Sequence, residues 1–288
     1  MHTAQGVPGE LPGGDETRSH HDVGSGWTRL QHIVPAVLRI CLTAIQDVVF
    51  PPRCLGCGNS IHFQDVLCPR CLAGILPLPM TLDESHLHLS SLSFPSDASM
   101  MFVGYEHETG GALEACIHAL KYQGMHRIGV WLGRLLGERL HDTPLVQGQP
   151  LLIPVPLHTV KRLERGYNQA EMLCRGLAAE CELEHLPALL VRRRYTISQS
   201  AARLHRDQRR GNMLDAFAVN ESLAGSYQSR PVILVDDLVT TGATMGECAA
   251  ALTVYGFRDI RFLALSRPAI RGIREDRPRE HAHTNTQE

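Results

Sequence analysis

The sequence predicts an α/β protein, a mostly parallel sheet with flanking helices, preceded by a small cysteine-rich segment. Three observations predict it. From Met100 onward, short apolar runs alternate with helix-periodic stretches, the pattern of parallel strands joined by crossover helices. One run, Val232-Ile233-Leu234-Val235, leads straight into two acids, a Thr-Gly loop and a new helical stretch, which places a polar site at the carboxyl end of a strand. Four of the nine cysteines fall within eighteen residues, between Cys54 and Cys71.

Residues 1–26 are polar and rich in Gly, Pro, Ser, Asp and His; they offer no apolar face to offset the entropy of ordering, so they are expected to be disordered. Across 27–50, Leu30, Ile33, Val34, Val37, Leu38, Cys41, Ile45 and Val48 recur at helical spacing until Pro51-Pro52 stops the pattern, predicting one amphipathic helix. Residues 51–75 carry Cys54-x-x-Cys57 and Cys68-x-x-Cys71, separated by ten residues. Each turn directs two thiolates at one point, and two turns complete a tetrahedral four-sulfur site, so Cys54, Cys57, Cys68 and Cys71 are expected to hold structural Zn²⁺. A redox pair would need only one such motif.

The Pro/Ser-rich stretch 76–99 reads as a linker, and 100–269 as the main domain. Within it strands are expected at Met100–Glu106, Leu151–Val155, Leu189–Arg192, Val232–Val235 and Ile260–Ser266. Helices are expected at 110–122, 127–140, 168–179 and 244–255. The charged tail 270–288 is expected to be frayed.

A chain of 288 residues can bury one domain with a small appendage, and its net charge of −2 excludes a chain basic throughout, leaving only local basic patches for nucleic acid. The N-terminus lacks the charged start and apolar run of a signal peptide, and Pro35, Arg39, Gln46 and Asp47 interrupt the apolar stretch 33–50. No membrane span is expected, and a cytoplasmic location follows as the default.

Candidate functional residues cluster in three places. After strand Val232–Val235 come Asp236 and Asp237, then Thr240, Thr241, Gly242, Ala243 and Thr244. Small residues, hydroxyls and a helix start suit a phosphomonoester. Adjacent carboxylates would repel that phosphate unless they face hydroxyls or a metal, and vicinal ribose hydroxyls meet the need; helix capping is the plainer alternative. Upstream, Leu157 and His158 follow a Pro-bounded strand, with Lys161, Arg162 and Arg165 close behind, cations that suit a diphosphate or simply form a solvated turn. Seven arginines and one acid lie between 192 and 210, including Arg193, Arg194, Arg209 and Arg210, with Gln199 interleaved. That stretch reads as a flexible arm closing over a polyanion, as a holder of single-stranded nucleic acid, or as an exposed basic loop.

The run from Val232 to Thr244 resembles the phosphoribosyl pyrophosphate motif of type I phosphoribosyltransferases. The resemblance implies a phosphoribosyltransferase-like fold for the main domain. It implies Asp236 and Asp237 as catalytic acids on the ribose hydroxyls, Thr240 to Thr244 on the 5-phosphate, and Mg²⁺ bound with the ligand. It further implies that Leu157, His158, Lys161, Arg162 and Arg165 hold the pyrophosphate. Together with Phe50-Pro51-Pro52-Arg53-Cys54, Ala119-Leu120-Lys121-Tyr122-Gln123-Gly124, Arg165-Gly166-Tyr167-Asn168-Gln169-Ala170-Glu171 and Arg209 with Asn212, the chain resembles the competence protein F (ComF) family from about Asp47 to Arg267. That resemblance implies a zinc segment joined to the transferase-like domain and a part in bacterial uptake of DNA. It also implies either phosphoribosyl transfer to a nitrogen nucleophile or a non-catalytic adaptor contacting single-stranded DNA or a DNA-uptake helicase.

Overall fold

The structure is a computed structural model and describes residues 52–62, 65–92, 98–193 and 216–269. The expectations for 1–26, 27–50 and 270–288, and for Arg194, Gln199, Arg209 and Arg210, lie outside the described residues. The described elements are α1 (Pro69–Ala73), β1 (Leu76–Pro77), α2 (Leu82–Ser91), β2 (Ala98–His107), α3 (Ala112–Tyr122), α4 (His126–Gly137), β3 (Leu151–Pro154), α5 (Thr159–Arg165), α6 (Gln169–Cys181), β4 (Leu190–Arg192), β5 (Phe217–Val219), α7 (Glu221–Ala224), β6 (Val232–Leu238), α8 (Ala243–Tyr255) and β7 (Ile260–Pro268). Among them no helix is long and apolar enough to cross a membrane.

Five strands form one sheet in the order β1-β2-β7-β6-β3. β2, β7, β6 and β3 run parallel and β1 joins the β2 edge antiparallel. The central strands read as unbroken apolar runs because both faces are covered. In β6, Ile233 and Val235 face a core shared with α3, α4 and α6, while Val232 and Leu234 face a second core with α8. That is the strand period of two applied to a three-layer domain. All four side chains are fully buried, each contributing about 1.5–3 kcal/mol of apolar burial.

Helices α4 and α6 approach at backbone distance. A Cβ on Gly133 would lie 2.2 Å from the Leu173 carbonyl oxygen, and one on Gly176 would lie 2.1 Å from that of Val130. Only glycine fits on either side, so the two helices pack as one slab against the sheet.

Three sequence expectations are corrected. The linker reading of 76–99 fails over its described part. Leu76 and Pro77 pair with Glu106 and Tyr105, and Leu82–Ser91 is a helix whose cap, Thr81 Oγ1, accepts from the Glu84 amide at 3.3 Å. The Thr-x-x-Glu spacing is a capping-box signal that the surrounding Pro and Ser content obscured. The basic turn after His158 is helix α5, capped by His158 Nδ1 and closed by Gly166 at φ 78°. Finally, the strand near Leu189–Arg192 does not join the main sheet: β4 pairs antiparallel with β5 in a separate two-stranded ribbon.

Candidate functional site

The cysteine segment folds around its own sulfurs. Cys54 is buried, its amide donates to the Asn59 carbonyl and the Gly58 amide returns to the Cys54 carbonyl, both at 2.8 Å. Gly58 takes φ 75°, which this turn demands and a side chain resists. Val66 then bonds Leu55 back across the loop, bringing the second Cys-x-x-Cys turn onto the first. One sulfur atom from each of Cys54, Cys57, Cys68 and Cys71 lies within 4.8 Å of all the others, with Cys57 Sγ and Cys68 Sγ 3.7 Å apart. Tetrahedral Zn–S bonds of about 2.3 Å require sulfurs about 3.8 Å apart, so the donor set fits zinc.

The electrostatics agree. Burial opposes ionisation of Cys54, but amide hydrogen bonds from Cys68, Cys57 and Gly56 outweigh it and bring its thiol down to about 6. Burial and then the neighbouring sulfurs push Cys71 up to about 12. Four thiols this close resist holding charge together, and a dication is the group that reverses this.

The second site lies at the carboxyl ends of β3 and β6. Strand β6 continues beyond Val235, the end expected from its apolar run, so that Asp236 and Asp237 stand within the strand, Asp236 in register with Ala264 of β7. The Asp237 amide donates to Asp236 Oδ1 at 2.9 Å. Burial, then the Asp237 charge, push the Asp236 carboxyl well above the usual carboxylate range. Lys121, the penultimate residue of α3, answers with an ion pair to Asp237 Oδ2 at 2.8 Å.

These residues form one wall of a cleft of about 220 Å³. A second stretch of wall comes from the β3–α5 turn, α5 and the start of α6: Val155, Pro156, Leu157, His158, Lys161, Arg165, Asn168, Gln169 and Ala170. Arg192 from β4 and Thr244 from α8 complete the lining. Asn168 fixes this wall. Its Nδ2 donates to the Val155 carbonyl at 2.9 Å and its Oδ1 caps α6 by accepting from the Ala170 amide at 3.2 Å. The Tyr167 hydroxyl donates to the Leu120 carbonyl, tying the end of α3, and so Lys121, to the same wall. Arg165 donates to Gln169 Oε1 at 2.8 Å and lays its guanidinium 5.4 Å from the Tyr122 ring centroid.

Of the residues singled out from sequence, Asp236, Asp237, Leu157, His158, Lys161, Arg165 and Thr244 line this cleft. Arg162 stands exposed on α5 and is not part of the lining; Thr240, Thr241 and Gly242 lie in the loop from β6 into α8 and Ala243 is the first residue of α8, all outside it. Gly242 caps α8 with φ 73°. Arg193 closes the β4–β5 ribbon, its amide donating to the Ala216 carbonyl at 2.9 Å. Sequence reasoning missed Lys121, Asn168 and Gln169, and counted Arg192 only as one arginine of a basic stretch. Only the Asn-Gln pair at a helix start offered a local signal, as an N-cap.

Lys121, Lys161, Arg165 and Arg192 against Asp236 and Asp237 leave the cleft with an excess of positive charge. Chemically it can hold a polyanion on one wall and hydroxyls or a cation on the other.

Comparison with known proteins follows the same division. Residues 45–81 match the double zinc ribbon domain family. Competence protein F of Haemophilus influenzae is 29% identical over 230 residues, spanning 75% of this chain and 96% of its own length. DNA utilization protein YhgH of Escherichia coli O157:H7 is 31% identical over 220 residues, spanning 74% and 89%. Among solved structures, a hypoxanthine phosphoribosyltransferase from Staphylococcus aureus aligns with a TM-score of 0.30 and 13% identity over 51% of this chain and 69% of that one. With a zinc-ribbon cysteine cluster, a mostly parallel sheet and relatives matched over most of their length, the chain belongs to the competence protein F and DNA utilization protein YhgH family.

Proposed function

We propose that the cleft binds phosphoribosyl pyrophosphate and transfers its phosphoribosyl group to a nitrogen nucleophile. The observation that carries this reading is the pairing of two strand-end carboxylates with four cations, Lys121, Lys161, Arg165 and Arg192, around one cleft. Such a site suits a ligand with hydroxyls at one end and a diphosphate at the other. Asp236 and Asp237 accept from the ribose 2- and 3-hydroxyls and stabilise positive charge that builds at C1. The loop Thr240 to Thr244 donates amide and hydroxyl hydrogens to the 5-phosphate at the start of α8. Lys161 and Arg165, joined by Lys121 and Arg192, neutralise the diphosphate. The nucleophile's lone pair forms the new bond to C1 as the C1–oxygen bond breaks, and the diphosphate leaves with that electron pair.

Two half-buried, adjacent carboxylates are a donor set that fits Mg²⁺. Bound with the ligand, the ion supplies further neutralisation of the leaving diphosphate. In this reading the arginine-rich stretch that follows Arg192 serves the charge of the leaving diphosphate.

A second reading is favoured by the names of the relatives, competence and DNA utilization. Here the same site serves as a sensor in an adaptor for DNA uptake that contacts single-stranded DNA or a helicase. Pyrophosphate release on adding a panel of amines and nucleobases separates the two. Release with any member supports transfer; salt-sensitive binding of single-stranded DNA with no release across the panel supports the adaptor.

A further inference from the structure

We infer that Gln169 is a ligand-binding residue of the cleft, a neutral donor reserved for a phosphate oxygen at the start of α6. The inference rests on the phosphate-binding reading above and deepens it. Gln169 is 2% exposed, lines the cleft, and its Nε2 finds no hydrogen-bond partner among the described residues. Buried amide donors are seldom left this way, because each forfeits its bonds to water without replacement. A buried donor on a residue that lines a ligand cleft is instead available to be satisfied when the ligand is present.

The orientation of the amide is fixed by its other end. Oε1 accepts from the Arg165 guanidinium at 2.8 Å, and an arginine can only donate. The carbonyl oxygen therefore faces Arg165, and the NH₂ group is the end left for the cleft. The backbone holds this arrangement in place: Gln169 is the first residue of the thirteen-residue α6, and Asn168 pins that helix start to the Val155 carbonyl.

The matching ligand atom is an acceptor that cannot donate and carries negative charge. The donor sits at a helix start, beside Arg165, in a cleft that also holds Lys161, so positive potential surrounds it. A phosphate or diphosphate oxygen fits all three; a hydroxyl or an amine does not. Gln169 thus adds shape-specific recognition to charges that alone would accept any anion.

The test is calorimetry of the full chain with Mg²⁺ and, in turn, inorganic pyrophosphate and phosphoribosyl pyrophosphate, on the parent, Gln169→Glu and Gln169→Met. Gln169→Glu preserves shape and the Arg165 contact but turns the donor into an acceptor. Both variants should bind roughly 10- to 100-fold more weakly, the range expected for losing one hydrogen bond to a charged group. Thermal unfolding without ligand supplies the second readout. Gln169→Met removes the unsatisfied donor together with the acceptor of Arg165, a half-buried group at the cleft that can turn to water, so its melting temperature should stay close to that of the parent, unlike a structural role. Parent-like binding by both variants overturns the inference and leaves the phosphate-binding reading standing. Weaker binding with an equal loss of ligand-free stability assigns Gln169 to folding and also overturns it. Failure of the parent itself to bind either probe removes the phosphate reading, and this inference with it.

Discussion

Replacing Lys121 by Met removes the cation paired with Asp237 among the described residues, and its cost follows from where that pair sits. Breaking a fully buried ion pair costs about 3–5 kcal/mol, whereas an exposed pair is worth under about 1 kcal/mol. Here the side chains are 17% and 14% exposed and border an open cleft, which places the loss between these limits, at about 2 kcal/mol. For a domain of this size that lowers Tm by roughly 4–8 °C. A cycle with Asp237→Asn, read by urea unfolding, should show the two substitutions coupled by more than about 0.5 kcal/mol. Additive effects would refute the reasoning.

Three further outcomes follow from the same geometry. The Asp236 carboxyl is held above its ordinary value by burial and the Asp237 charge, so between the two values the folded chain keeps a proton that the unfolded chain has lost, and stability falls as pH rises through that window. Asp236→Asn should remove this slope and raise Tm at pH 7 by a few degrees, which thermal unfolding across pH checks. Cys57→Ser should lower bound zinc from one ion per chain, measured by elemental analysis, and expose the buried neighbours Cys54 and Leu67 to proteolysis; unchanged metal content would exclude the four-sulfur site. Gly176→Ala places a methyl 2.1 Å from the Val130 carbonyl, and urea unfolding should show a loss of at least about 1–3 kcal/mol, with α4 and α6 forced apart.

How much of this could be seen in the sequence differed with the range of the interactions. The run Val232–Val235 announced its burial because a parallel strand covered on both faces has no polar period to mask it. The cysteine pairs announced their chemistry because four ligands of one ion lie close in sequence. Asp236 and Asp237 were legible for the same local reason. Lys121 was not: it reaches Asp237 across 115 intervening positions of chain, and its helix looks like any amphipathic helix with a lysine in its last turn. Gln169 hid behind Asn168, since an Asn-Gln pair at a helix start is explained by capping alone. The β4–β5 ribbon was missed because three-residue strands carry almost no periodic signal, and Phe217–Val219 pairs with Leu190–Arg192 across the arginine-rich stretch. Helix α2 was present in its Thr81-x-x-Glu84 box, but composition was weighted above capping.

The central claim, that strand-end acids and a cationic wall together hold phosphoribosyl pyrophosphate, is tested most directly by calorimetry with that compound and Mg²⁺. The parent chain and the variant carrying both Asp236→Asn and Asp237→Asn form the comparison. The account predicts one saturable site per chain in the parent and loss of heat in the variant, which retains its fold and its zinc. No binding by the parent, or equal binding by the variant, would contradict it.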